Sequence, residues 1–132
     1  MPDYQFSDTC YEYLDKMVEL CENHGVQLVL MKAPSLYPYW YEEYDQQIMD
    51  YAGEKGLAYY DFTDRIDEIG LDFQTDTYDA GLHLNLAGAT KLSRYFADIL
   101  AEEHGIPDRR EDPAIRQIYD EKLRRYDAEA NK

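Results

Sequence analysis

The segment Asp72-Phe73-Gln74-Thr75-Asp76-Thr77-Tyr78-Asp79-Ala80-Gly81-Leu82-His83-Leu84-Asn85-Leu86-Ala87-Gly88-Ala89 gathers the side chains best suited to chemistry. His83 stands just before a stretch with helical spacing, and Asp72, Asp76 and Asp79 lie upstream. A carboxylate beside a histidine holds one imidazole tautomer and stabilises the imidazolium when a proton moves. His83 is therefore a candidate general base toward a hydroxyl, with Asp79 as its orienting carboxylate and Asp76 as the fallback. The competing reading makes His83 a loop residue that caps or packs, with solvated aspartates around it. Asp72, Asp76, Asp79 and His83 would suit calcium or magnesium, but their spacing matches no calcium loop. There is no phosphate-cradling glycine loop and no paired-cysteine zinc spacing. The sequence calls for no metal and no cofactor.

Positioning these groups falls to a repeated helix–glycine–strand order. Ser7 or Asp8 can cap a first helix with apolar positions Cys10, Leu14, Met17, Val18 and Cys21, ended by Gly25. Val26 to Met31 is short and nearly all apolar, as in a strand buried on both faces of a parallel sheet. Pro38 can open a second helix with Tyr41, Tyr44, Ile48, Tyr51 and Ala52 inward, closed by Gly53-Glu54-Lys55-Gly56. Leu57 to Phe62 is a second strand, Asp64 to Ile69 a short helical turn, and Leu71 to His83 an irregular acidic stretch. Asn85 caps a third long helix with Ala89, Leu92, Phe96, Ile99 and Leu100 as its core stripe, ended by Gly105. Ile106 to Glu111 links it to a last helix opened by Pro113, with Ile115, Tyr119, Leu123 and Tyr126 on one face.

At 132 residues the chain has one ordinary domain's length, and 45% hydrophobic with 31% charged residues is a globular composition. Acidic residues outnumber basic ones 28 to 13, giving −15. That surface repels phosphate backbones, so neither nucleic acid nor an anionic membrane is an expected partner. No apolar run approaches the roughly 20 residues that span a bilayer. Met1-Pro2-Asp3-Tyr4 has no basic or apolar leader pattern, so the expected location is cytoplasmic by default. Cys10 and Cys21, 11 positions apart in one helix, lie roughly 16 Å apart at about 1.5 Å per residue, beyond disulfide reach, and read as small buried residues. The 14 tyrosines read mostly as amphipathic packing residues.

The acidic segment resembles the closing block of the SGNH/GDSL hydrolase superfamily, in which Asp-x-x-His precedes the C-terminal helix. It is most similar to a branch of bacterial SGNH-like proteins with Asp-x-x-His-Leu-Asn-x-x-Gly-Ala, related to proteins that handle acyl groups on cell-surface polymers. His83-Leu84-Asn85-Leu86-Ala87-Gly88-Ala89 matches the second half of that pattern. Val26 to Pro34 resembles its strand ending in Lys-x-Pro, followed by an aromatic turn with Trp40, and Leu57 to Phe62 its next strand, ending in Asp-Phe. The resemblance spans about residues 7 to 105. Two departures stand out. Asp79 is four residues before His83, with Ala80 in the usual aspartate place, and no Gly-Asp-Ser turn is present. Of the three serines, Ser7 reads as a cap, Ser93 lies inside a helix, and Ser35 follows a strand without forming a nucleophile elbow.

The expectation is an α/β fold: a three-layer sandwich with a parallel sheet, of the flavodoxin-like SGNH hydrolase type, incomplete and with few strands. Residues 1–106 would be the C-terminal half of an SGNH-like domain, and 107–132 a linker and helix. The resemblance implies an acyl esterase or acyltransferase with His83 as base and Asp79 as its partner, acting on an acylated carbohydrate or small ester. It also implies that related full-length proteins are often associated with the cell envelope. Ligands of parallel sheets bind beyond the C-terminal strand ends, so Lys32, Ser35, Trp40 and Asn85 are candidate substrate contacts, with Trp40, Tyr39 and Tyr41 able to stack on a sugar. The alternative is a non-catalytic structural or interaction domain. Two strands cannot cover the apolar faces of four helices. One face left wet costs several kcal/mol at ~25 cal/mol per Å², so self-association, or a missing N-terminal half carrying the nucleophile, is expected.

Overall fold

A computed structural model describes residues 3–36 and 40–130; Pro38 and Tyr39, the expected helix opener and one of the stacking rings, lie outside them. Helix α1 runs over Asp8–Asn23, capped by the Ser7 hydroxyl, which accepts the Cys10 N–H at 3.4 Å. Gly25 then takes a left-handed conformation, φ 63°, and the Val26 N–H turns back to the Cys21 carbonyl at 2.8 Å. This closes the helix with an apolar residue in the cap. It also uses up Val26, so strand β1 is Val29–Lys32 rather than Val26 to Met31. The same device ends α2, Glu42–Lys55. Gly56 has φ 66°, and Leu57 donates to the Ala52 carbonyl at 2.8 Å, so β2 is Ala58–Asp61. Phe62, expected to end the strand, instead opens a 3₁₀ turn, Phe62–Arg65, because Asp61 Oδ1 accepts the Thr63 N–H at 2.8 Å. Phe62 is fully shielded from solvent. Helix α3, Ile66–Ile69, follows directly.

β1 and β2 pair in parallel, Val29 with Ala58 through Lys32 with Asp61. The architecture is mixed α/β, mostly helical, with this small two-stranded sheet. The only other extended pairing among the described residues is a single antiparallel bridge between Thr77 and Leu84. The strands are not buried on both faces as expected. Val29, Leu30 and Lys32 are half-buried, and Met31 is 43% exposed. Two strands give each residue only one ladder neighbour, so one flank of every strand stays open.

Helix α2 packs on β2 and buries Tyr51 and Ala52. It is tied to α1 by polar contacts: the Tyr51 hydroxyl donates to Asp15 at 2.9 Å, and Lys55 pairs with the same carboxylate at 2.9 Å. Burial, then the Asp15 hydrogen bond, pushes the Tyr51 hydroxyl up to about 12. The buried position of α1 is Val18; Leu14 and Cys21 are half-buried, Met17 and Cys10 exposed. The expected burial of Cys10 is thus corrected. It sits in the first helical turn, where its sulfur accepts the Ser7 hydroxyl at 3.4 Å.

The described residues fall into two compact units, Met1–Leu92 and Ser93–Lys132, divided within helix α4, Leu86–Glu102. Leu92 and Ile99 are buried, Phe96 and Leu100 half-buried, and Ala89 exposed. In the second unit Ile106 donates to the Leu100 carbonyl at 3.1 Å after Gly105. Asp112 then caps helix α5, Pro113–Ala130, through the Ala114 and Ile115 N–H groups. No residue of α5 is buried. Among the described residues no helix is long and apolar enough to cross a membrane.

Gly53 lies inside α2, and a Cβ added there would meet nothing within 4 Å, whereas Gly56 needs its positive φ. Gly53→Ala is expected to stabilise the protein by about 0.5–1 kcal/mol, and Gly56→Ala to destabilise it by a similar amount or more. Urea unfolding followed by circular dichroism measures both.

Candidate functional site

The acidic segment is anchored on α4 by a buried charge. Asp76 is 2% exposed. Its Oδ2 accepts the Asp72 N–H at 2.8 Å and the Lys91 ammonium at 2.7 Å. Those two contacts, the backbone donor first, hold its carboxyl below the usual carboxylate range. Lys91 also donates to the Gly70 carbonyl at 3.0 Å. Asn85 completes the anchor. Its Oδ1 accepts the Gly88 N–H at 3.1 Å as helix cap, and its amide donates to the Thr75 carbonyl at 2.8 Å and the Thr77 carbonyl at 3.3 Å. Gly88 is buried so tightly that a Cβ would stand 2.3 Å from the Asp76 carbonyl oxygen.

From this base the loop tip projects. The Thr77–Leu84 bridge and the Tyr78 N–H to His83 carbonyl bond, 3.0 Å, close it. Gly81 donates to the Thr77 hydroxyl at 2.8 Å. Ala80 has φ 58° and Gly81 φ 107°. These two successive left-handed residues turn the chain between Asp79 and His83. Asp79 then accepts the His83 backbone N–H at 2.7 Å and the Leu82 N–H at 3.2 Å through Oδ1, and the His83 ring Nδ1 through Oδ2 at 2.6 Å. The ring contact, followed by the backbone donors, lowers the Asp79 carboxyl. An ionised carboxylate only accepts, so Nδ1 carries the hydrogen and Nε2 keeps its lone pair. The His83 side chain is 72% exposed and Asp79 41%. Such a pair can accept a proton at Nε2 from a hydroxyl brought to it.

Lys32 is the last residue of β1, and Ser35 lies three residues beyond it. Lys32 Nζ donates to its neighbour's carbonyl, Ala33, and lies 3.4 Å from the Ser35 hydroxyl. Burial lowers the ammonium's pKa, against the opposing charge of Asp61. Ser35, Leu36 and Trp40 line a cavity of about 430 Å³ with Glu42, Asp45, Asp61, Thr63 and Asp64. The Trp40 indole donates to Asp45 Oδ1 at 3.2 Å, and the Tyr59 hydroxyl donates to the same oxygen at 2.6 Å. One side of the indole is occupied by protein rings: Phe6 and Tyr44 pack within 5.9 Å of it, centre to centre. Burial raises the Asp61 carboxyl, and proximity to Asp45 adds to the rise.

The structure thus joins Asp79 to His83, and places Ser35 and Trp40 around one cavity, with Lys32 touching Ser35 but not lining the cavity. Neither Asp79 nor His83 lines that cavity. The two places are linked by backbone: the Leu36 N–H donates to the Gly81 carbonyl at 2.7 Å, and a Cβ on Gly81 would lie 2.5 Å from Leu36 Cβ. Asn85 does not line that cavity, and its side chain is engaged by the helix cap and the loop carbonyls. Asp76 is not the partner of His83, because Lys91 holds it inside. Among the described residues no three ligating side chains converge on a possible metal position. Sequence reasoning missed Lys91. Its signal was a cation early in a helix that follows three aspartates. No protein-family model, curated protein or solved structure matches this chain.

Gly88→Ala is expected to cost about 1–3 kcal/mol by overpacking against the Asp76 carbonyl. Asp76→Asn is expected to lower the melting temperature by about 5–10 °C, and the exposed Asp79→Asn by less. Both carboxyls sit below their unfolded values near 4. Their contribution is whole at neutral pH and is lost as pH falls through the lowered folded values. Melting curves between pH 7 and pH 3 are expected to show this as a loss that is smaller in Asp76→Asn than in the parent chain. Asp61 has the opposite sign: its raised carboxyl favours folding only at low pH. Asp61→Asn, which keeps the acceptor for Thr63, is therefore expected to raise the melting temperature at pH 7.

Proposed function

We propose that this chain carries the general-base end of an acyl-transfer site of the SGNH/GDSL type, within a three-layer parallel-sheet domain of which the two strands are a part. The observation that carries the reading is the 2.6 Å contact between His83 Nδ1 and Asp79, in a loop where Asp79 is also held by two backbone N–H groups. His83 Nε2 would take the proton of a serine or sugar hydroxyl as it attacks an ester carbonyl, then return it to the leaving oxygen. Asp79 would stabilise the imidazolium between the two transfers. The substrate class is an acylated carbohydrate or small ester. The cavity beside Ser35 and Trp40 is a candidate seat for its non-reacting part, with hydroxyls and carboxylates to accept and donate hydrogen bonds to polar groups.

The nucleophile is the part this chain does not offer. Ser7 caps α1, Ser93 lies within α4, and Ser35 stands in Ala33-Pro34-Ser35-Leu36-Tyr37, which lacks the Gly-x-Ser-x-Gly pattern of a nucleophile elbow. That observation favours the second reading, a non-catalytic interaction or structural domain built on the same loop.

The chain alone is expected to show no serine-dependent turnover of a simple acetyl ester. Turnover abolished by both His83→Ala and Ser35→Ala would overturn this and make Ser35 the nucleophile. The coding sequence immediately upstream of Met1 decides between the two readings. A Gly-Asp-Ser turn encoded there supports the catalytic reading, if turnover of the joined protein falls by about 10²–10⁴ in His83→Ala. Turnover that is unchanged in His83→Ala, or no such turn upstream, leaves the non-catalytic domain.

A further inference from the structure

Helix α5 carries an exposed stripe of large apolar side chains. Tyr119 is 63% exposed, Leu123 57% and Tyr126 53%. At about 100° per residue these three fall within one narrow face, with Ile115 and Ala130 beside them. Aromatic residues on such a face are the type enriched in protein interfaces.

The charges on α5 say what covers it. The chain carries −15, yet α5 is neutral: Arg116, Lys122, Arg124 and Arg125 balance Asp120, Glu121, Asp127 and Glu129. Two copies of so acidic a chain repel each other over most of their surfaces, and neutral α5, with its exposed apolar stripe, is a place where they can approach without that cost. The order of the charges also matters. Arg116 stands in the N-terminal half, while Asp127 and Glu129 stand at the C-terminal end, where acidic groups oppose the helix dipole. An antiparallel partner brings the acidic end of one helix to the basic start of the other.

A register can be read from the spacing. Setting Arg116 of one helix opposite Asp127 of the other places Tyr119 between the partner's Leu123 and Tyr126. Ile115 then lies between the partner's Tyr126 and Ala130. Arg116 and Asp127 flank the stripe on the same side, which is the side that meets itself in an antiparallel pair, so the ion pair forms twice. Within its own helix Arg116 has only a loose contact, 3.9 Å to Asp120. A cavity of about 750 Å³ at the start of α5, lined by Ile106, Arg116 and Tyr119 together with Asp108, Glu111 and Asp120, lies beside Arg116.

We infer that α5 pairs antiparallel with α5 of a second copy of this chain, along Tyr119, Leu123 and Tyr126, with Arg116 meeting Asp127 at each end. The interface is one helix per protomer, at the small end of specific interfaces, so association in the micromolar range is expected.

Sedimentation equilibrium of the full chain, from about 1 μM to 1 mM, tests this. The expected result is a monomer–dimer equilibrium that Leu123→Glu shifts at least tenfold toward monomer with unchanged far-ultraviolet circular dichroism. Arg116→Asp and Asp127→Arg are each expected to weaken the dimer, and the double exchange to recover it, because the pair is then reversed rather than broken. A monomer throughout the range would overturn the inference. So would a dimer indifferent to Leu123→Glu, which would place the contact elsewhere. Failure of the double exchange to recover association would sink the antiparallel register.

Discussion

Asp76 is the residue on which the rest of the candidate site depends. A carboxylate shielded to 2% exposure is stable only if it is hydrogen-bonded and its charge finds a counterion. Asp72 N–H and Lys91 meet that demand, one from the loop and one from α4. Satisfying it fixes the loop to the first turns of the helix. Asn85 and Gly88 follow from the same constraint. Asn85 must cap α4 and bind two loop carbonyls at once, and Gly88 must lack a side chain so that the Asp76 carbonyl can approach.

On that rigid base the Asp79–His83 tip needs little material of its own. The pair is exposed, so its value is not in stability, where a surface contact of this kind contributes little. Its value is in orientation. Three donors converge on one carboxylate, one of them the ring Nδ1, and this leaves Nε2 as the basic atom. Ala80 and Gly81, both in left-handed backbone, turn the chain between Asp79 and His83. The cost of Ala80 in that conformation is of order 1 kcal/mol, and the loop bonds to Thr77 and Leu36 oppose it.

Charge divides the molecule's surfaces by use. The cavity beyond the strands collects carboxylates, and burial together with the nearby Asp45 charge raises the Asp61 carboxyl above its ordinary range. Helix α5 is neutral on a strongly acidic chain and presents its rings outward. The first arrangement favours a polar ligand able to donate hydrogen bonds. The second favours a protein surface of matched charge.

Much of the local structure was determined by the residues alone. Ser7, Gly25, Gly56, Asn85, Gly105 and Asp112-Pro113 mark helix ends by backbone geometry and capping, which are local interactions, and the helices begin and end where these residues stand. The Asp79–His83 contact was legible for the same reason: only three loop residues separate the partners. The extent of the strands was less legible, because Val26 and Leu57 are as apolar as strand residues yet serve the preceding helix caps. Tertiary structure alone decided which aspartate goes inside. Asp72, Asp76 and Asp79 are alike in type and spacing, and only the position of Lys91 on a packed helix singles out Asp76. It also decided that Asn85 is spent on the loop and that Cys10 faces solvent. Burial and long-range pairing depend on what the fold brings near a residue, and sequence neighbours do not contain that information.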